Sequence, residues 1–253
     1  MAKWVFIHIP KTAGKAFSRA IFPPFGMEYE QPWLAYDFFV RDRDARRDPF
    51  LAGHAFYPIV KVIFPQDTQF ITLLRDPIDR AYSHWEHVRR EPLHYFHDFV
   101  RDMTVSEFIR HPATLPLVNN LHARYLTITG KPPESIGPIE YQKYYELKTV
   151  TSEYLFEEAL DTLYSFAMVG LQEWLPESVA QACKIMGLDP PTVDQKETPN
   201  YRERMSGRDL AYLEHINEID IALYEEFRAR FKNEVFFGGY HPRIKAREFR
   251  PVI

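Results

Sequence analysis

Six residues near the start of the chain, Trp4-Val5-Phe6-Ile7-His8-Ile9, constrain its fold more than any others. Apolar side chains at consecutive strand positions point to both faces, so a run without alternation needs cover on two sides. It belongs inside a parallel sheet. The next residues, Pro10-Lys11-Thr12-Ala13-Gly14, form a turn, and from Lys15 the chain can turn helical through Ala16, Phe17, Ala20 and Ile21. Pro23-Pro24 stops that helix. A strand turning directly into a helix converges successive backbone N–H groups on one point, to which Lys11 adds a full positive charge. That point suits a phosphate, and an ordinary βα turn with an exposed lysine is the alternative.

The same grammar recurs. Phe50-Leu51-Ala52-Gly53-His54 reads as a short strand, and Gln69 to Leu74 as a stronger one that ends at Arg75. Asp76 is placed to cap a helix with Pro77 at its first position, and Ile78, Ala81, Tyr82 and Trp85 set a buried face over residues 77–90. Segments 104–111 and 115–128 read as helical, 130–138 as a Pro/Gly loop, Phe166–Gly170 as a buried strand, and 176–186 as a helix closed by Gly187. Residues 28–49, with the charge run Arg41 to Asp48, read as a surface excursion. One long final helix is expected from Ser206, with Leu210, Leu213, Ile216, Leu223, Phe227 and Phe231 on its core face. The tail cations Arg243, Lys245, Arg247 and Arg250 read as solvated. The alternation implies an α/β, P-loop-type three-layer fold: a central, mainly parallel sheet flanked by helices. At 253 residues it is expected to be a single domain, 1–253.

Composition narrows the partners. A formal net charge of −4 supplies no global field for nucleic acid, so any anion must be held by a local cluster. Cys183 is the only cysteine, which rules out an intrachain disulfide and a cysteine metal site and fits a reducing compartment. No run approaches the roughly 20 apolar residues of a membrane span, so a soluble, cytoplasmic protein is expected. A metal-dependent triphosphate loop needs G-x-x-x-x-G-K-[ST], and here Ile9 replaces the first glycine and Ala16 the Mg²⁺-ligating hydroxyl. A P-loop kinase is therefore disfavoured, and the charge must be handled by protein groups without a metal.

A second anion motif lies in Leu73-Leu74-Arg75-Asp76-Pro77-Ile78-Asp79-Arg80-Ala81-Tyr82-Ser83, where Arg75 ends a strand and Ser83 lies two helical turns further on. Ligands of open α/β sheets bind at such strand ends. With both motifs present, the chain resembles sulfotransferases that use 3′-phosphoadenosine 5′-phosphosulfate (PAPS), in particular the branch of heparan sulfate 2-O-sulfotransferase and its bacterial relatives. Weaker likenesses run through Gly53-His54, Asn120–Leu126, Val169–Glu173 and Asp220–Tyr224.

The resemblance implies that Lys11, Thr12, Ala13 and Gly14, with Lys15 and Ala16 at the helix start, grip the 5′-phosphosulfate. Arg75 and Ser83 would hold the 3′-phosphate, and His54 would be the general base. Lys15 departs from the family, which has Thr or Ser there. It either substitutes as a cation or leaves backbone N–H groups and Ser18 to complete the loop.

The implied reaction is attack of an acceptor hydroxyl on sulfur, with Lys11 neutralising developing charge and adenosine 3′,5′-bisphosphate (PAP) leaving. An idle nucleotide-binding module is the other alternative. The pairs His84/His87 and His94/His97, spaced i,i+3, suit acceptor contact, helped by Tyr95, Phe96 and Phe99, better than zinc. The acceptor is expected to be a carbohydrate or small hydroxylated molecule met by segments 28–50, 91–103 and 130–150.

Overall fold

A computed structural model describes residues 3–26, 48–127, 151–194 and 199–232. The readings made for residues 28–47, for 130–150 and for the basic tail lie outside these residues.

Strand β1 (Trp4–Ile7) is central, between β2 (Phe50–Gly53) and β3 (Gln69–Leu74), and β4 (Met168–Leu171) adds to β3. All three pairings are parallel, with Ile7 level with Gly53 and Thr72, and Leu74 level with Leu171. Alternate residues of each strand enter different cores. Trp4 and Phe6 pack with Phe50, Ile71, Leu73 and Met168 beneath α1 (Gly14–Ile21) and α8 (Leu175–Met186), the expected helix closed by left-handed Gly187. Val5 and Ile7 pack with Leu51, Leu74 and Leu171 against α2 (Tyr57–Ile63), α6 (Leu121–Thr127), α7 (Ser152–Ser165) and α10 (Glu218–Lys232). Two buried faces account for the unbroken apolar run of β1, and the layering is the one expected.

Gly170 in β4 allows α8 to close on the sheet. A Cβ there would lie 2.6 Å from Leu73 Cδ2 and 2.8 Å from Ser178 Cβ. Ser178 Oγ instead accepts from Leu171 N at 2.9 Å, tying helix to strand.

Helix α3 (Pro77–Arg90) has the expected limits, with Asp76 accepting from the N–H groups of Ile78 and Asp79. It carries a third core with α4 (His97–Val100), α5 (Val105–Arg110) and α9 (Gly207–Ile216), α9 being capped by Ser206 as expected. The order β2-β1-β3 places the switch point of the sheet at the carboxyl ends of β1 and β3, because the chain runs from β1 to β2 on one side and then crosses to β3 on the other.

Several sequence expectations need correction. The final helix is two: α9 stops at Asn217, whose Nδ2 donates to Leu213 O and whose Oδ1 accepts from Asn120 N. The backbone of Asn217 leaves the helical region at φ −119° and ψ 19°, so the apolar period continues while the helix is interrupted. Segment 115–128 resolves into a short turn at Leu115–Leu117 and then α6, separated by Asn120 in the left-handed region at φ 42°. Strand β4 starts at Met168, two residues later than expected, and helices α2 and α7 were not anticipated. Among the described residues no helix is long and apolar enough to cross a membrane.

Candidate functional site

Parallel pairing brings the residues after β1, β2 and β3 to one edge of the sheet, so the 8–14 loop, His54 and Arg75 are neighbours. In the loop both Lys11 (φ 71°) and Ala13 (φ 66°, ψ 18°) are left-handed, unusual for residues with a Cβ. Each such conformation costs roughly 1–2 kcal/mol. Local strain of this kind turns successive N–H groups inward into an anion-binding concavity. Helix α1 starts there without a side-chain cap and with no acidic residue in its first turn. Its exposed N–H groups and positive dipole end therefore favour an anion.

Thr12 is fully buried and its hydroxyl donates to Ile9 O at 2.9 Å, so the side chain braces the loop while its backbone lines it. Gly14 is demanded by a close approach: a Cβ there would stand 2.0 Å from His8 Cδ2. Lys15 and Ala16 are exposed on the first turn of α1.

Arg75 is 7% exposed and joins the two motifs, its Nη1 donating to Lys11 O at 3.1 Å. Its Nε is buried with no hydrogen-bond partner. A buried guanidinium with an unspent N–H is costly, and a phosphate oxygen would satisfy it. Lys11 is pushed down to about 8 by burial, then by repulsion from Arg75 and Lys15. Two positive groups held this close favour an incoming anion. Ser83 is partly buried on α3, between Asp79 and His87 on the i,i+4 face. That face lies within electrostatic reach of the loop, Lys11 interacting with Glu86, and His87 with Lys11, Lys15 and His54.

His54 meets His8 in a tilted ring contact with centroids 4.1 Å apart, and its Nδ1 lies 2.7 Å from His8 O. A carbonyl only accepts, so Nδ1 carries the proton and Nε2 keeps its lone pair. Burial, assisted by Lys11 and Lys15 and opposed by that hydrogen bond, lowers the pKa to about 4. The ring is neutral at physiological pH and held in the tautomer a base requires. His8 is also held well below its usual value, first by burial and then by His54.

No protein-family model and no curated protein matches the chain. Among solved structures it is similar to the crystal structure of a sulfotransferase from Alicyclobacillus acidocaldarius, at 17% identity and a TM-score of 0.43, over 89% of this chain and 99% of that one. Those values fix no family, and the site is read from its own residues.

The other histidines divide by role. His84 is buried, with Nδ1 3.1 Å from Leu117 O, and His97 Nδ1 lies 3.2 Å from Val88 O, so both brace α3. Phe96 is core at 5% exposure. His87 and His94 stand 5.7 Å apart on the side of α3 toward the loop. Among the described residues no cluster of three potential metal ligands occurs.

Residues 201–204 contribute a part that sequence reasoning missed. Tyr201 stacks on Tyr82 at 4.7 Å, with the guanidinium carbons of Arg75 and Arg204 lying 5.6 and 5.8 Å from its ring centre. Arg202 Nη2 pairs with Asp76 Oδ2 at 3.0 Å, and Arg204 Nη1 with Glu86 at 3.7 Å. The alternation Tyr201-Arg202-Glu203-Arg204 was the only signal, and nothing local ties it to a strand end over a hundred residues earlier. Burial raises Asp79 to about 6, reinforced by Asp76, and raises Glu173, whose Oε1 accepts from Asp76 N at 2.9 Å.

Proposed function

We propose that the chain is a sulfotransferase that moves a sulfuryl group from PAPS to a hydroxyl of a carbohydrate or small hydroxylated acceptor. The observation that carries this reading is the pairing of a left-handed, uncapped anion loop with buried Arg75, beside a histidine fixed as a neutral base. Loop N–H groups and Lys11 would hold the 5′-phosphosulfate, and Arg75 with Ser83 the 3′-phosphate. The acceptor oxygen attacks sulfur in line, the new O–S bond forming as the bridge from sulfur to the phosphate oxygen breaks. The acceptor proton passes to His54 Nε2 and the electron pair leaves with PAP. Lys11 offsets charge growing on the bridging and phosphate oxygens, as preorganised cations do in phosphoryl transfer.

Metal-free binding of PAP, measured by calorimetry with a chelator present, tests the reading. Arg75→Ala is expected to weaken that binding by about 10–100-fold, the loss of a charge-assisted hydrogen-bonding fork. Tighter binding of ATP with Mg²⁺ than of PAP would instead mark a kinase, and PAP binding without turnover an idle module.

The pH profile supplies a second check. His54 is active as a base when neutral, so its contribution is present above about pH 4 and lost below it. Lys11 is useful when charged, so its contribution is present below about pH 8 and lost above it. For the donor, kcat/KM is expected to fall through the alkaline limb near 8. In kcat the limb should move upward, because bound phosphates favour the ammonium. Lys11→Arg, which does not titrate in this range, should abolish the limb. A limb unmoved by that substitution excludes Lys11 as its source.

A further inference from the structure

We propose that the turn following α3 is the acceptor platform, with Leu93, Tyr95 and Phe99 as its apolar surface and His87 and His94 at its edge toward the loop, and that it takes an uncharged acceptor whose hydroxyl sits on or beside a flat ring. The inference rests on the sulfotransferase reading and names the substrate class of that site.

Three observations converge. First, Leu93, Tyr95 and Phe99 are 93%, 53% and 45% exposed, the other large exposed apolar residues among the described ones being Val62 and Tyr154 in separate elements. Three such side chains within seven residues form a patch of the kind that marks a binding surface. It is anchored, because Tyr95 stacks on His94 at 4.5 Å and meets core Phe96 in a tilted contact at 4.8 Å, and Phe99 meets His111 at 4.9 Å.

Second, the patch leads toward the loop: Tyr95 stacks on His94, whose ring lies 5.7 Å from that of His87 on α3. His87 and His94 both lie within electrostatic reach of Lys11 and His54. His94 Nδ1 accepts from Phe96 N at 3.2 Å, which leaves its Nε2 as an N–H donor in the neutral ring. Burial first, and Lys11 among other charges, keeps both histidines uncharged at neutral pH.

Third, the charge carried by the turn itself does not suit a polyanion. Between residues 86 and 102, Glu86, Glu91, Asp98 and Asp102 outnumber Arg89, Arg90 and Arg101. Arg90 pairs with Glu86 at 3.1 Å, Arg101 lies 3.7 Å from Asp98 and 3.4 Å from Asp102, and Arg89 covers Trp85 at 4.7 Å. A polyanionic saccharide needs an excess of cations along its path. A neutral ring needs an aromatic face and one or two hydrogen-bonding groups.

The test uses a naphthol as probe, titrated by fluorescence with and without PAP and also assayed as acceptor with labelled PAPS. Wild type should bind it saturably, Tyr95→Ala about tenfold more weakly as a stacking face is lost, and Tyr95→Phe nearly as wild type. An uncharged ring competitor should displace the probe, whereas the unsulfated polyanion heparosan should not. Absence of saturable naphthol binding, an unchanged affinity in Tyr95→Ala, or displacement by heparosan each overturns the proposal. Loss of PAP binding counts separately against the donor reading, since the naphthol titration does not require nucleotide.

Discussion

Replacing His54 by alanine is expected to slow sulfuryl transfer by about 10²–10⁴-fold, the range of a positioned general base. Affinity for PAP should remain close to wild type, because the imidazole belongs to the transferring end of the site and the phosphates to the loop and Arg75. His54→Gln keeps a hydrogen-bonding side chain of similar length but has no basic lone pair, so it should be nearly as slow. The reasoning is geometric before it is electrostatic: the contact of Nδ1 with His8 O at 2.7 Å fixes the tautomer, and burial against Lys11 and Lys15 keeps the ring neutral. Single-turnover rates at saturating donor measure the effect directly. A His54→Ala rate equal to wild type at normal PAP affinity would remove His54 from the chemistry.

The second large effect falls on stability. Asp220 is fully buried; its two oxygens accept from His122 N at 2.8 Å and Ala123 N at 2.9 Å, and its own N–H donates to Asn120 Oδ1 at 3.1 Å. It also faces the cations of Arg80 and Arg124, and Arg80 is itself fully buried, donating to the carbonyls of Leu117 and Val118. Burial still pushes Asp220 up to about 6. Asp220→Ala orphans two N–H groups at the start of α6 and removes a buried carboxylate that faces Arg80 and Arg124. A loss of about 3–5 kcal/mol is expected, the cost of breaking a buried charge network from one side. Asp220→Asn keeps one acceptor and should lose less. Urea unfolding with an unchanged slope and a lowered midpoint checks this, and a midpoint shift worth less than about 1 kcal/mol would deny the network its role.

Asp220 also shows why some motifs are legible for reasons other than those first apparent. The segments Asn120–Leu126 and Asp220–Tyr224 carry a family resemblance, yet in the fold they meet each other: Asn120, His122 and Ala123 bond Asn217 and Asp220, and Tyr224 bonds Glu173, which in turn holds Asp76. Their described contacts join the end of the helical layer to the strand that bears Arg75. Polar residues at such spacing look alike in a sequence whether they face a ligand or one another, because spacing reports direction along an element and not what lies opposite it.

Local rules sufficed wherever one element decides its own conformation. The cap at Asp76, Pro77 at the helix start, the stops at Pro23 and Gly187, and the two-sided burial of β1 all follow from side-chain chemistry within a few residues. The final helix defeated those rules because its apolar period runs unbroken through Asn217, while the residue at which it is interrupted is held by Asn120 from almost a hundred residues away.

Returning to the residues after β1, the sequence by itself determined that a strand would turn through a lysine-bearing loop straight into a helix start. It also determined that Ala16 would offer no hydroxyl to a metal. Only the tertiary structure decided the rest: that Lys11 and Ala13 take left-handed conformations, that Arg75 Nη1 grips the loop while its Nε remains unspent, and that Tyr201 and Arg204 stand over the same edge. It likewise decided that His54 is neutral with its proton on Nδ1. The physical reason is the range of the forces. Conformational preference and amphipathic period act within a few residues, whereas burial, tautomer and charge are set by whichever distant segments the fold brings alongside.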